Sequence, residues 1–211
     1  MFEEVTRKEV FDIVESLTNK SMLDIGSGRS GDYFTIDKDE KLGCSFTGDM
    51  RTLFAPVYNA DTPRSLKKIK SHTFSFVKMQ HIVEHIEWIY HKSMFDWVYS
   101  ILSEDGILFV ETPNVDYILK QYLSFTKGLA KQHPDISSDD PDANIKWLNS
   151  KLYSGCSTNK VKEGCVDGDF HLCLYNKDWL VSSLLYAGFN YVKINVEETL
   201  SLIAYKEVRE L

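Results

Sequence analysis

The chain has 211 residues, 43% hydrophobic and 26% charged, with a formal net charge of −7; that is enough for one domain with a substantial core. The excess of acid argues against nonspecific nucleic-acid binding, which needs Lys and Arg against phosphate, and no apolar run approaches the ~20 residues of a membrane span. The N-terminal MFEEVTRKEV lacks the apolar centre of a secretory signal, and Cys44, Cys156, Cys165 and Cys173 form no paired-ligand spacing. The expectation is a cytoplasmic protein with free thiols.

Residues 4–18 predict a helix, with Val10, Ile13, Val14 and Leu17 on one apolar stripe. Residues 21–39 read SMLDIGSGRSGDYFTIDKD: an apolar strand at 22–25, then Gly26, Gly28 and Gly31, then a second strand at 33–36 ending on Asp37. Glycine permits positive φ and close approach of a ligand to the main chain. A carboxylate suits the paired hydroxyls of a ribose. The pattern predicts a nucleotide-sized ligand between the glycine turn and Asp37, with Asp39 as the fallback acid. The same glycines match G-x-G-x-x-G, but a dinucleotide site wants a helix immediately after them and an acid about 20 residues on. Only about seven residues separate Ile25 from Tyr33, whereas a parallel crossover takes a dozen or more. Either the connecting helix is absent or the second strand is not parallel to the first.

A short third strand is expected at 44–47, followed by Gly48-Asp49-Met50. A surface helix or loop is expected at 59–70, and a strand at 73–79. Met94, Val98, Ile101 and Leu102 mark a helix, with Glu104-Asp105-Gly106 as its glycine stop. Residues 107–110 suit a central buried strand broken at Pro113-Asn114, and Ile118, Leu119, Tyr122 and Leu123 mark a further helix. The acidic stretch 135–142 reads as a solvated connector, and 154–170 as a long loop of the kind used for lids. Asn176 caps a helix carrying Leu180, Val181, Leu184 and Leu185 that stops at Gly188, and two paired strands close the chain.

In order, LDIGSG, TID, GDM, FSFVKMQHIVEHI, GILFVETPN and LLYAGF resemble a class I S-adenosylmethionine-dependent methyltransferase. The likeness is to short bacterial members associated with surface-polysaccharide genes, and it runs from about Ser21 to Tyr205. It implies an α/β, Rossmann-like fold in which a mainly parallel sheet ends in an antiparallel hairpin, with a shortened connection between the first two strands. The expected organisation is a single domain over 1–211, with 131–172 a connector and lid-like insertion.

The resemblance also implies roles. S-adenosyl-L-methionine would be the cofactor, with Asp24, Gly26, Ser27 and Gly28 at its methionine end and Asp37 on the ribose. Asp49 and Met50 would meet the adenine. Met79, Gln80 and His81 would face cofactor and acceptor, the latter a small molecule or saccharide. One departure concerns chemistry: where the family has Phe-Asp, this chain has Phe74-Ser75. That keeps open a non-catalytic methyltransferase-like binding protein, with a nicotinamide-dependent oxidoreductase as a remoter alternative. Methyl transfer to a hydroxyl needs a proton acceptor, for which His171 is the first candidate and His81 the second. His81 and His85, four apart with Glu84 adjacent, could share a metal on a helix, but no third ligand is evident and no metal is assigned. Cys156, Cys165, Cys173 and His171 lack zinc-ligand spacing as well.

Overall fold

A computed structural model describes residues 1–17, 21–26, 34–37, 44–56, 62–126, 143–153 and 171–207. In chain order the elements are β1 (Phe2–Glu4), α1 (Arg7–Leu17), β2 (Met22–Ile25), β3 (Phe34–Asp37), β4 (Phe46–Thr47), β5 (Phe74–Gln80), α2 (His91–Ile101), β6 (Leu102–Pro113), α3 (Val115–Thr126), α4 (Ala143–Tyr153), α5 (Lys177–Tyr186), β7 (Tyr191–Val196) and β8 (Thr199–Tyr205). The strands form one sheet in the order β1-β7-β8-β6-β5-β2-β3-β4. Neighbours from β6 to β4 are all parallel, β8 is antiparallel to β6 and β7, and β1 adds a parallel edge to β7. This is the mixed α/β sheet with a closing hairpin that the sequence led one to expect.

Both faces of the central strands are buried, so they read as unbroken apolar runs rather than alternating ones. On one face Leu108 and Val110 of β6 and Val77 and Met79 of β5 pack against Met94, Phe95 and Val98 of α2 and Leu180, Val181 and Leu184 of α5. On the other, Phe109 and Phe76 meet Val10 and Leu17 of α1. Asn176 caps α5 by accepting from the Trp179 amide at 2.9 Å, and Gly188 ends the turn after it at φ +107°.

β3 runs parallel to β2, pairing Leu23 with Phe34 and Ile25 with Ile36. Of the two alternatives for this short connection, the parallel one holds. Other expectations are corrected. Glu104-Asp105-Gly106 does not stop a helix: α2 ends at Ile101, and these residues lie inside β6, where the pairing with β5 shifts register between Phe74 and Phe76. Leu102 pairs with Phe74 on entry, so strand pairing takes the backbone before the glycine is reached. The 59–70 region yields, among its described residues, only a 3₁₀ turn at Leu66–Lys68. Within the expected connector, 143–153 forms α4, whose Trp147 and Leu148 pack on Ile118 of α3; residues 127–142 and 154–170 lie outside the described residues. β1 was not foreseen. Trp88 and Trp179 are exposed, whereas Trp147 belongs to the core.

A buried histidine locks α2 to the segment before α5. His91 Nε2 donates to the Ile86 carbonyl at 2.9 Å, and the Tyr175 hydroxyl donates to His91 Nδ1 at 2.6 Å. Burial holds His91 below its ordinary value of 6.5, against the opposing pull of the Ile86 carbonyl and the Glu87 carboxylate.

Phe109 is fully buried and edge-on to Phe11, with centroids 5.7 Å apart. Phe109→Ala is predicted to cost about 3–5 kcal/mol in denaturant unfolding; a loss below ~1 kcal/mol would contradict its place between the sheet and α1. Because folded His91 resists a proton that the unfolded chain accepts near pH 6.5, its contribution to stability is intact above that value and lost as pH falls through it. The wild type should therefore lose stability more steeply than His91→Gln between pH 7.5 and 5. Equal slopes in paired thermal scans would refute the assignment.

Candidate active site at the carboxyl edge of the sheet

Parallel pairing brings the ends of β2, β3, β4, β5 and β6 to one edge. The chain leaves β2 toward β3 on one side and returns as β5 on the other, the switch point at which open α/β sheets bind ligands. Gly26 turns there at φ +73°, and its amide donates to the Ile36 carbonyl at 2.8 Å. A Cβ at Gly26 would lie 1.9 Å from Ile82 Cδ1, so the turn is closed to larger residues by packing as well as by torsion. One step along, the Gly48 amide donates to the Asp37 carbonyl at 2.9 Å. These two bonds bring the glycine turn, Asp37 and Asp49 into consecutive positions along the edge.

Asp24 is buried in β2 with Lys78 Nζ 3.3 Å from its carboxylate; burial raises its pKa against the pull of Lys78. Asp37 ends β3, half-buried. Asp49 caps a 3₁₀ turn at Met50–Leu53: its carboxylate accepts from the Arg51 amide at 2.9 Å and pairs with the Arg51 guanidinium at 2.6 Å. Met50 is buried beside it. Met79 points into the core, so only its main chain is available to a ligand. Gln80 Nε2 donates to Glu111 at 3.3 Å. Ser27, Gly28 and the fallback acid Asp39 lie outside the described residues.

His81 follows β5 in the left-handed region, at φ +54°, and does not continue into a helix with His85; a 3₁₀ turn at Val83–His85 intervenes. Its amide donates to the Glu111 carbonyl at 2.8 Å. Its ring lies between two buried carboxylates, with Nδ1 3.2 Å from Glu84 and Nε2 3.3 Å from Glu111. Two carboxylate partners require both nitrogens to donate, which makes the ring an imidazolium. The bonds to Glu111 and then Glu84 push its pKa to about 9 against the partial desolvation of a ring that stays about half exposed, at 48%. At Glu111, burial works to raise the pKa, but donors from His81, Ser201 (3.0 Å) and Gln80 leave it lowered.

His171 comes to the same place from the far end of the chain. The Leu172 and Cys173 amides donate to the Glu84 carbonyl at 2.7 and 3.1 Å. His171 Nδ1 donates to the Lys151 carbonyl at 3.2 Å, which leaves the lone pair on Nε2. Burial lowers its pKa and keeps the ring neutral. The His85 and His171 rings stand edge to face, with centroids 5.2 Å apart. Burial pushes the Cys173 thiol up to about 11, which suits a structural thiol rather than a nucleophile.

Glu111 escaped the sequence reading, and Glu84 entered it only as the neighbour of His85. The available signal was a charged residue inside an apolar strand run, ILFVETP, since an acid is rarely buried unless paired. Ser75 sits near the start of β5, where its Oγ donates to the Ser21 carbonyl at 3.1 Å. At ~3.3 Å of rise per residue it is about 20 Å from His81, so the acid missing there is missing from the opposite edge.

No protein-family model and no curated protein matches the sequence. Solved structures do. A SAM-dependent methyltransferase from Archaeoglobus fulgidus aligns with 94% of this chain and 92% of its own, at 14% identity and a TM-score of 0.55. One from Thermotoga maritima, titled a possible histamine N-methyltransferase, aligns over 94% and 88% at 11% identity and 0.52. One from Methanosarcina mazei aligns over 93% and 98% at 14% identity and 0.50. At these identities the likeness is one of architecture: the chain has the class I methyltransferase fold.

Proposed function

We propose that this chain is an S-adenosylmethionine-dependent methyltransferase that O-methylates a small or sugar-like acceptor in the cytoplasm. The observation that carries the reading is the adjacency of the Gly26 turn and Asp37 at the switch point of a sheet with this fold. The donor set fits an adenosine-bearing ligand: main chain at a positive-φ turn, and a carboxylate one strand away able to accept from two vicinal hydroxyls. Asp24, Gly26, Ser27 and Gly28 would hold the methionine end, Asp37 the ribose and Asp49 with Met50 the adenine, while the main chain at Met79 and Gln80 would face cofactor and acceptor. When bound, the cofactor supplies an electrophilic methyl group on a sulfonium. No helix among the described residues is long and apolar enough to cross a membrane; the proposed location rests on the sequence reading.

The chain's own task is to align the acceptor and to take its proton. His81, held as an imidazolium between Glu84 and Glu111, is unsuited to accept one and serves as a fixed positive charge at the edge. His171, neutral with its lone pair on Nε2, is the proton acceptor of this reading. The saccharide preference rests on the sequence resemblance alone.

Asp37→Ala is predicted to weaken S-adenosylmethionine binding by about 1.5–3 kcal/mol, the worth of hydrogen bonds to a charged group, as read by titration calorimetry. Unchanged affinity would remove Asp37 from the site. Release of S-adenosylhomocysteine with a mixed acceptor pool is expected of the wild type; binding without release would make the chain a cofactor-binding protein instead.

A further inference from the structure

Glu84, His85 and His171 place one carboxylate oxygen and two imidazole nitrogens within 4.8 Å of one another. We propose that they form a binding site for a divalent transition-metal ion, with zinc the best match to two imidazoles and a carboxylate. His171 stands 86 residues beyond His85 (171 minus 85), so no local spacing in the sequence shows the three as a set.

Three further features of the site match what a metal ligand set requires. His171 Nδ1 donates to the Lys151 carbonyl, the outer-shell bond that orients a ligating imidazole and presents its other nitrogen. Glu84 is completely buried, held by Thr112 Oγ1 on one oxygen at 3.0 Å and by His81 Nδ1 on the other at 3.2 Å. Those two bonds leave lone pairs on a carboxylate that has about four. Finally, the Leu172 and Cys173 amides bind the Glu84 main-chain carbonyl, so the two ligand-bearing segments are already laced together before any ion arrives. Zinc–ligand bonds of ~2.0–2.2 Å bring neighbouring ligand atoms to roughly 3–4 Å. From separations of up to 4.8 Å, closure of roughly 1–2 Å reaches that spacing.

Three protein ligands leave a coordination position for water or an acceptor oxygen. The site adjoins His81 at the carboxyl edge, so an ion there would meet a hydroxyl-bearing acceptor and lower the pKa of that hydroxyl. It would also occupy the nitrogen that otherwise accepts the proton, so His171 is a base in the metal-free protein and a ligand in the loaded one. Metal binding itself does not depend on the methyl-transfer reading.

The test is direct metal titration of the full chain after chelator treatment. Zinc calorimetry should give one tight equivalent, and cobalt should give visible bands of a nitrogen/oxygen site without the near-ultraviolet charge-transfer band of a thiolate. His85→Ala and His171→Ala should each weaken zinc binding at least tenfold, and Thr112→Val, an outer-shell change, about tenfold. Should either histidine variant fail to fold, zinc protection of His85 and His171 in the wild type against diethylpyrocarbonate, read by mass spectrometry, replaces it. Zinc affinity that survives both histidine substitutions, a thiolate band, or no protection would overturn the proposal.

Discussion

The site depends on a main-chain constraint: β2, β3 and β5 run parallel in fixed register, so their last residues arrive at one edge together. The Gly26 amide bonded to the Ile36 carbonyl, and the Gly48 amide bonded to the Asp37 carbonyl, extend that register past the strand ends. Side chains that share no sequence neighbourhood therefore become neighbours by construction. Slipping β3 by one residue would turn Asp37 to the other face of the sheet.

Electrostatics then divides the polar groups of the edge by task. Glu84 and Glu111 are both buried, and two uncompensated carboxylates so placed would be costly. The His81 imidazolium between them, with Ser201, Gln80 and Thr112 as further donors, offsets that cost. The left-handed backbone of His81 is the local strain accepted to bring the ring there. His171 stays neutral because burial outweighs the upward pull of the Lys151 carbonyl on its ring. Two histidines at one edge thus carry opposite proton states: carboxylate partners set one and burial sets the other.

The sheet was largely legible in the sequence because its strands are unbroken apolar runs between glycines and prolines, and because Asn176 and Gly188 bracket α5 with cap chemistry. The direction of β3 was not legible, since its connection is shorter than a crossover usually allows; pairing, not periodicity, decided it. Gly106 misled because a glycine after a helix stripe reads as a stop, whereas here it serves a bulged strand entry. Gly26, Asp37 and Asp49 were named by motif, and strand pairing sets them along one edge. The Glu84, Glu111 and His171 grouping could not be named so, because it is assembled by β5, β6 and the segment before α5, and no local spacing encodes it.

The central claim is that the glycine turn and the acid ending β3 hold one adenosine-bearing ligand. Amide chemical-shift mapping during titration with S-adenosylhomocysteine tests it most directly. The account predicts saturable shifts concentrated at Gly26, Asp37, Asp49 and Gln80. Saturable shifts confined to another part of the sheet, or none at all, would contradict it.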